Sequence, residues 1–134
     1  MKEENIRISV KEEIERAKEA YKSANILFEN DLIKDAISRL YYYALHMVRA
    51  LLFTRGFEPK SHEGALRLLS LYFVKEGIFE PEIAHIFSRL MKYREEADYN
   101  PFYVFSKEDF LNYRKEAEIL ASEIEKYLAK VGLL

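Results

Sequence analysis

Apolar residues recur every three or four positions between residues 33 and 52, and this spacing constrains the fold more than any other feature. At about 100° of rotation per residue, positions so spaced share one face of an α-helix. The face comprises Ile33, Ala36, Ile37, Leu40, Ala44, Met47, Val48, Leu51 and Leu52. So wide an apolar face must be covered by other elements, and we therefore expect this helix to form the core of the fold.

A polar stripe lies on the remaining arc of the same helix. Its members, three or four residues apart, are Asp35, Arg39, Tyr42, His46, Arg49 and Phe53. A solvated face normally carries lysine and glutamate, whereas arginines beside histidine and tyrosine suit an anion, a nucleotide or a partner subunit. Packing of the stripe against a neighbouring helix explains the same pattern, so both interpretations stay open.

Length and composition bound the class of protein. The 134 residues suit a single domain over residues 1–134. The absence of cysteine excludes a disulfide framework and a zinc–thiolate site. The formal charge of -2 argues against general coating of nucleic acid, although a local basic stripe can hold a phosphate. Without a signal peptide or an apolar membrane span, we expect a cytoplasmic location and no membrane partner.

Four glycines and three prolines separate long stretches of helical period, which predicts an all-α fold. We expect an antiparallel bundle of four to five helices. The first helix is predicted to begin in a capping box at Ser9 and to end near Asn30. The second is predicted to be capped by Asp31 and to run to Arg55, before a left-handed Gly56.

The remaining helices are predicted from their caps and breakers. Ser61 caps a third helix that ends by Gly77, and Pro81 opens a fourth. The pair Asn100–Pro101 ends the fourth helix, and Ser106 caps the last in a second capping box. The connection over residues 99–105 is rich in aromatic residues, which is unusual for a loop.

Most standard catalytic motifs are absent from the sequence. None of the three histidines, His46, His62 and His85, forms a helical metal-binding pair, so we expect no metal site. There is no glycine-rich phosphate loop and no nucleophile elbow, and we expect no cofactor.

Two further segments are candidate sites. Lys60 and His62 lie at the start of the third helix, where free backbone amides suit an anion, although simple capping also explains the segment. Arg94 and Asp98 lie four residues apart near the end of the fourth helix, followed by Tyr99. They are placed to form an internal ion pair or to line a cleft beside the aromatic loop.

Three segments, in this order, resemble the small single-domain HEPN proteins of prokaryotes: residues 41–52, 60–64 and 94–99. The resemblance implies a bundle of four or five helices that dimerises and takes part in nucleotide or RNA chemistry. It also implies a partner, a minimal nucleotidyltransferase, with which such proteins form toxin–antitoxin pairs.

The same resemblance bears on catalysis. Active members are metal-independent ribonucleases whose motif is an arginine, four to six residues, then a histidine, assembled in a cleft across the dimer. Arg94 matches the arginine, but Tyr99 stands where the histidine is expected. With an ordinary pKa of about 10, tyrosine is a poor acid or base at neutral pH. His46 is placed to reach the same cleft from the second helix and partly replace the missing group.

Three functional hypotheses follow. The first is a homodimeric HEPN-type module that binds a nucleotide or RNA and docks a minimal nucleotidyltransferase. Its ligand-binding candidates are Arg39, Tyr42, Arg49, Lys60, His62, Asp98 and Tyr99, with His46 and Arg94 in the same cleft. The second is an active ribonuclease toxin with Arg94 and His46 as catalytic residues. The third is a purely structural dimerisation module.

Overall fold

The computed structural model describes residues 2–134, which form five α-helices and no strand. The helices are α1 (Glu3–Glu29), α2 (Ile33–Phe53), α3 (His62–Leu69), α4 (Pro81–Tyr99) and α5 (Lys107–Lys130). A π-helical turn, Ser70–Val74, follows α3 directly. The predicted all-α fold is therefore confirmed. None of the helices in this range is long and apolar enough to cross a membrane.

Helices α1 and α5 run in opposite directions along the bundle. Near one end Arg7 Nη1 donates a hydrogen bond to the carbonyl oxygen of Gly132 at 3.1 Å. Towards the other end Arg114 Nη1 donates to Asn25 Oδ1 at 2.7 Å. The start of α1 therefore lies beside the end of α5, as an antiparallel bundle requires.

Helix α2 lies at the centre of the core. Every residue of its predicted apolar face is buried except Ile33, which is half-buried. Burial extends further round the helix, because Tyr41, Leu45 and Phe53 are also buried. Phe53 therefore belongs to the core and not to an exposed stripe. The cover comes chiefly from α1, α4 and α5, which all pack against α2.

Four predicted helix ends are confirmed. Gly56 has a φ of 76°, the left-handed conformation that follows the last turns of α2. Ser61 Oγ accepts a backbone N–H of α3 at 2.8 Å, and Pro81 is the first residue of α4. Ser106 and Asp109 form a reciprocal capping box at the start of α5.

Two predicted helix starts are wrong. Helix α1 begins at Glu3 rather than Ser9, because Ile6 packs against the core and gives the additional turns an apolar contact. Asp31 does not cap α2, since Leu32 occupies that position. Asp31 instead has a φ of 63°, a turn conformation that aspartate tolerates better than most residues.

Replacement of Leu120 by alanine tests the buried face of α5. Leu120 is fully buried, whereas its neighbour Ile119 is about half exposed. Leu120→Ala should lower the free energy of unfolding by about 2–5 kcal/mol, because it removes buried methyl groups and leaves a cavity. Ile119→Ala, the matched control, should change it by about 0.5 kcal/mol or less. Urea unfolding followed by circular dichroism measures both, and equal losses would contradict the described packing.

Candidate functional site

Arg94 lies in the last two turns of α4 and is only 6% exposed. Its Nη1 is 3.5 Å from Asp98 Oδ2, the predicted pair four residues apart, and donates to Tyr99 Oη at 3.4 Å. The guanidinium carbon of Arg94 lies 5.4 Å from the ring centre of Tyr41 and 5.6 Å from that of Tyr99. Its Nε has no hydrogen-bond partner among residues 2–134. The guanidinium is therefore buried, flanked by aromatic rings and incompletely hydrogen-bonded.

Tyr41 connects Arg94 to His62. Tyr41 is fully buried in α2, and burial raises the pKa of its hydroxyl, which stays protonated. Its Oη lies 2.5 Å from Nδ1 of His62, the first residue of α3. Burial and the nearby Arg94 charge lower the pKa of His62, so its imidazole is neutral at pH 7.

Two more predicted residues join this group. The guanidinium of Arg39 lies 4.6 Å from the ring centre of Tyr42, within the range of a cation–π contact. The rings of Tyr42 and His62 lie edge to face, with their centres 6.4 Å apart. We call this group the Arg94 cluster, and its members are Arg39, Tyr41, Tyr42, His62, Arg94, Asp98 and Tyr99.

His46 and Arg49 belong to a different group of contacts, centred on Glu13 of α1. Glu13 is only 2% exposed. His46 Nδ1 lies 2.6 Å from Glu13 Oε2, and Arg49 Nε donates to Glu13 Oε1 at 3.1 Å. Arg49 Nη1 also donates to the carbonyl oxygen of Pro59, in the loop before α3. We call Glu13, His46 and Arg49 the Glu13 cluster.

The Glu13 cluster corrects the expected pairing of His46 with Arg94. The predicted stripe on α2 divides into two parts. Arg39 and Tyr42 belong to the Arg94 cluster, whereas His46 and Arg49 bind Glu13. The reason is that a buried carboxylate needs hydrogen-bonding partners, and α2 supplies His46 and Arg49 one turn apart. The histidine near Arg94 is His62, contributed by α3.

An open cavity of about 390 Å³ lies between Arg49 of the Glu13 cluster and His62 of the Arg94 cluster. Its lining residues are Leu45, Arg49, Pro59, Lys60, Ser61, His62 and Glu63. The predicted candidates Lys60 and His62 thus share this cavity with Arg49. Its volume falls within the range of about 300–1,000 Å³ that is typical of small-molecule sites. Among residues 2–134, no group of three or more His, Asp and Glu side chains is arranged to hold a metal ion.

Two residues of these clusters, Glu13 and Tyr41, were not among the predicted site residues. The signal for Glu13 is its place on α1, three residues after Val10 and four before Ala17, on the apolar face of that helix. A carboxylate on a buried face requires a partner. Tyr41 carries less signal, because a tyrosine in an apolar helix is usually only a core residue.

Comparison with known proteins bears on this arrangement. A model of the HEPN domain matches residues 10–127, most of the chain. The chain belongs to the HEPN family.

Several relatives of this HEPN chain cover it almost fully. A protein of Methanocaldococcus jannaschii whose name marks it as a candidate toxin is 36% identical over 127 residues, 95% of this chain and 94% of that protein. A second candidate toxin of the same organism is 28% identical, over 90% of this chain and 82% of its own length. A UPF0332 protein of Thermotoga maritima is 30% identical, over 84% of this chain and 86% of its own length. The matched HEPN domain contains both the Arg94 cluster and the Glu13 cluster.

The Glu13 cluster of this HEPN domain should make its stability depend on pH. Burial raises the pKa of Glu13, but hydrogen bonds from His46 and Arg49 outweigh it, and the pKa falls below its ordinary value. The ionised Glu13 carboxylate therefore adds to the free energy of unfolding at pH values above its unfolded-state pKa. This stabilisation is lost as pH falls through the lower, folded-state pKa of Glu13. Glu13→Ala should lower the free energy of unfolding by about 1.5–3 kcal/mol near pH 7, because it removes the hydrogen bonds that the buried carboxylate makes with the partly exposed His46 and Arg49.

The pH series measures this contribution directly. Chemical unfolding of wild type and Glu13→Ala should give free energies that converge as pH falls through the lowered pKa of Glu13, since protonation then removes the carboxylate charge in the wild type. The exposed neighbour Glu12 provides the control, and Glu12→Ala should follow the wild type throughout. A difference that stays constant with pH would contradict the ionic role of Glu13.

Proposed function

We propose that this chain is a toxin-like HEPN module whose Arg94 cluster binds a phosphate group of a nucleotide or of RNA. The names of the two Methanocaldococcus relatives as candidate toxins support the toxin-like part of this proposal. In keeping with the family resemblance, the module acts as a homodimer together with a minimal nucleotidyltransferase.

The observation that carries the proposal is the incomplete bonding of the buried Arg94. Leaving a buried donor without an acceptor costs about 1–3 kcal/mol, and more for a charged group. Arg94 Nε is such a donor, and the contacts of Nη1 to Asp98 and Tyr99 are long for charge-assisted bonds. An anionic ligand with several oxygens supplies the missing acceptors, and phosphate is one of the groups that guanidinium binds in bidentate geometry.

The neighbours of Arg94 suit the remainder of a nucleotide. Tyr99 is 73% exposed beside the guanidinium, so its ring is available to stack on a base. Arg39 lies across Tyr42 at the edge of the same cluster and adds a second positive charge. Because the whole chain carries a formal charge of -2, binding at this local site is favoured over general coating of a nucleic acid.

The segment that follows α4 supports assembly into a dimer. Phe102 and Val104 are 90% and 84% exposed, and Tyr99 extends the same apolar segment towards Arg94. Large apolar side chains concentrated in one exposed loop are typical of surfaces that are covered by another chain. We assign this segment to the interface with a second copy, which would place the two Arg94 clusters near that interface.

Arg94→Gln tests the phosphate site. It removes the charge and the fork of donors while keeping most of the side-chain volume, so affinity for ATP and for a short single-stranded RNA should fall at least about tenfold. Arg67, an exposed arginine of α3, provides the control, and Arg67→Gln should bind like the wild type. Isothermal titration calorimetry measures both variants. Unchanged affinity of Arg94→Gln, or no binding by the wild type, would refute the proposal.

Phe102→Asp tests the dimer. A carboxylate in an apolar interface carries a large desolvation cost, so light scattering after size-exclusion chromatography should show a dimer for the wild type and a monomer for this variant. Leu111→Asp, on an exposed position of α5, is the matched control and should remain dimeric. A monomeric wild type would refute the assignment of this segment.

A further inference from the structure

A second cavity, of about 360 Å³, lies between α1 and the loop that follows α2. We call it the Arg16 cavity, and its lining residues are Ser9, Glu12, Glu13, Arg16, Arg49, Phe53, Glu58, Pro59 and Lys60. No residue of the Arg94 cluster is among them, so the proposed phosphate site makes no use of this cavity. Its volume is near the lower end of the range of about 300–1,000 Å³ that is typical of small-molecule sites.

Glu13 fixes two guanidinium groups at the wall of this cavity. Arg16 Nη1 donates to Glu13 Oε1 at 3.3 Å, and Arg49 Nε donates to the same oxygen at 3.1 Å. A guanidinium has five N–H donors. Among residues 2–134, Arg16 uses one of them and Arg49 uses two, the second on the Pro59 carbonyl oxygen. Both groups are therefore oriented by a buried carboxylate and retain donors for an anionic group of a ligand.

The same cavity carries two carboxylates that have no cationic partner. Glu12 lies four residues before Arg16 on α1, a spacing that usually allows an ion pair. Arg16 bonds to Glu13 instead, and neither Glu12 nor Glu58 forms an ion pair among residues 2–134. Ser9, three residues before Glu12, adds a hydroxyl group to the lining. Acceptors for a cationic group of a ligand are thus present beside the unused donors.

We propose that the Arg16 cavity binds a small zwitterion, namely a free α-amino acid with an apolar side chain. The carboxylate of the ligand accepts hydrogen bonds from Arg16 and Arg49. Its ammonium group donates to the carboxylates of Glu12 and Glu58. This inference goes beyond the proposed function and does not depend on it.

The balance of charge in the lining favours a ligand that carries both signs. Three side chains of the lining are cationic and three are carboxylates, in the order Arg16, Arg49, Lys60 and Glu12, Glu13, Glu58. A purely anionic ligand would meet the unpaired carboxylates, and a purely cationic one would meet the guanidinium groups. Like charges repel, so each of these ligands loses part of what it gains. A zwitterion avoids both repulsions.

The apolar part of the lining suits an apolar side chain. The ring of Phe53 is only 6% exposed and closes the inner wall of the cavity, with Pro59 beside it. The guanidinium carbon of Arg49 lies 5.2 Å from the centre of the Phe53 ring. The apolar surface therefore adjoins the cationic group that would hold the ligand carboxylate, as in a molecule whose side chain and carboxylate share one carbon atom.

Calorimetric titration of the full chain with each of the twenty free L-amino acids tests the ligand class. At least one amino acid with an apolar side chain should bind with a Kd below about 1 mM. Its N-acetyl derivative lacks the cation and its methyl ester lacks the anion. Each derivative should bind at least about tenfold more weakly than the free amino acid, because each leaves one set of cavity charges unpaired.

Two variants test the assigned residues. Arg16→Gln removes an exposed guanidinium and Glu58→Gln an exposed carboxylate, so neither change disturbs the core. Each should weaken binding of the amino acid at least about tenfold. The matched controls, Arg67→Gln and Glu15→Gln, alter exposed residues outside the cavity and should bind like the wild type.

Thermal unfolding gives a second readout of the same site. A ligand that binds only the folded chain raises Tm by mass action, so the amino acid should raise the Tm of the wild type and of both controls. The same concentration should leave the Tm of Arg16→Gln nearly unchanged. Circular dichroism without ligand should show the same helix content for all these chains.

Several outcomes would overturn the inference. They are the absence of binding by every amino acid, a preference for charged side chains, equal binding of either derivative, and affinities of Arg16→Gln and Glu58→Gln within threefold of the wild type. Titration with ATP separates this inference from the proposed function. Arg16→Gln should bind ATP like the wild type, because Arg16 lies outside the Arg94 cluster. A wild type that binds the amino acid but not ATP would refute the phosphate site and leave the Arg16 cavity standing, and the reverse result would do the opposite.

Discussion

The burial of α2 on nearly every side is the constraint on which the other elements depend. A helix covered by α1, α4 and α5 has little room for unpaired polar groups, so the polar side chains on its buried side need partners from other helices. Tyr41 forms a hydrogen bond with His62, and both His46 and Arg49 form hydrogen bonds with Glu13. The position of His62 and the Glu13 cluster thus follow from how the core pairs the polar side chains of α2.

The helical periods and caps predicted most of the fold, because these signals act over a few residues. Ser61, Pro81 and Ser106 begin helices as expected. The prediction was wrong at Ser9 because a capping pattern cannot reveal that preceding residues also pack on the core. Asp31 was misassigned because a residue that caps helices also suits a left-handed turn.

The candidate site was less predictable, because its geometry depends on packing between distant segments. The Arg94–Asp98 ion pair could be predicted from the sequence, because a spacing of four residues on one helix is enough to bring the two side chains together. The approach of His62 to Tyr41 depends on how α3 folds back onto α2 after the loop, for which the sequence carries no periodic signal. The separation of Arg39 and Tyr42 from His46 and Arg49 depends on Glu13 of α1, which was not among the predicted site residues.

The bond from Arg49 to the Pro59 carbonyl has an evolutionary consequence. It joins Glu13, near the start of the chain, to the loop that delivers His62, although neither Glu13 nor Arg49 belongs to the Arg94 cluster. A change at His46 or Arg49 removes one of the two α2 partners of the buried Glu13 carboxylate, and a change at Glu13 leaves both of those side chains without their shared acceptor. Substitutions at these three positions should therefore occur together among relatives, and relatives that have lost all three are expected to carry an apolar trio of similar volume.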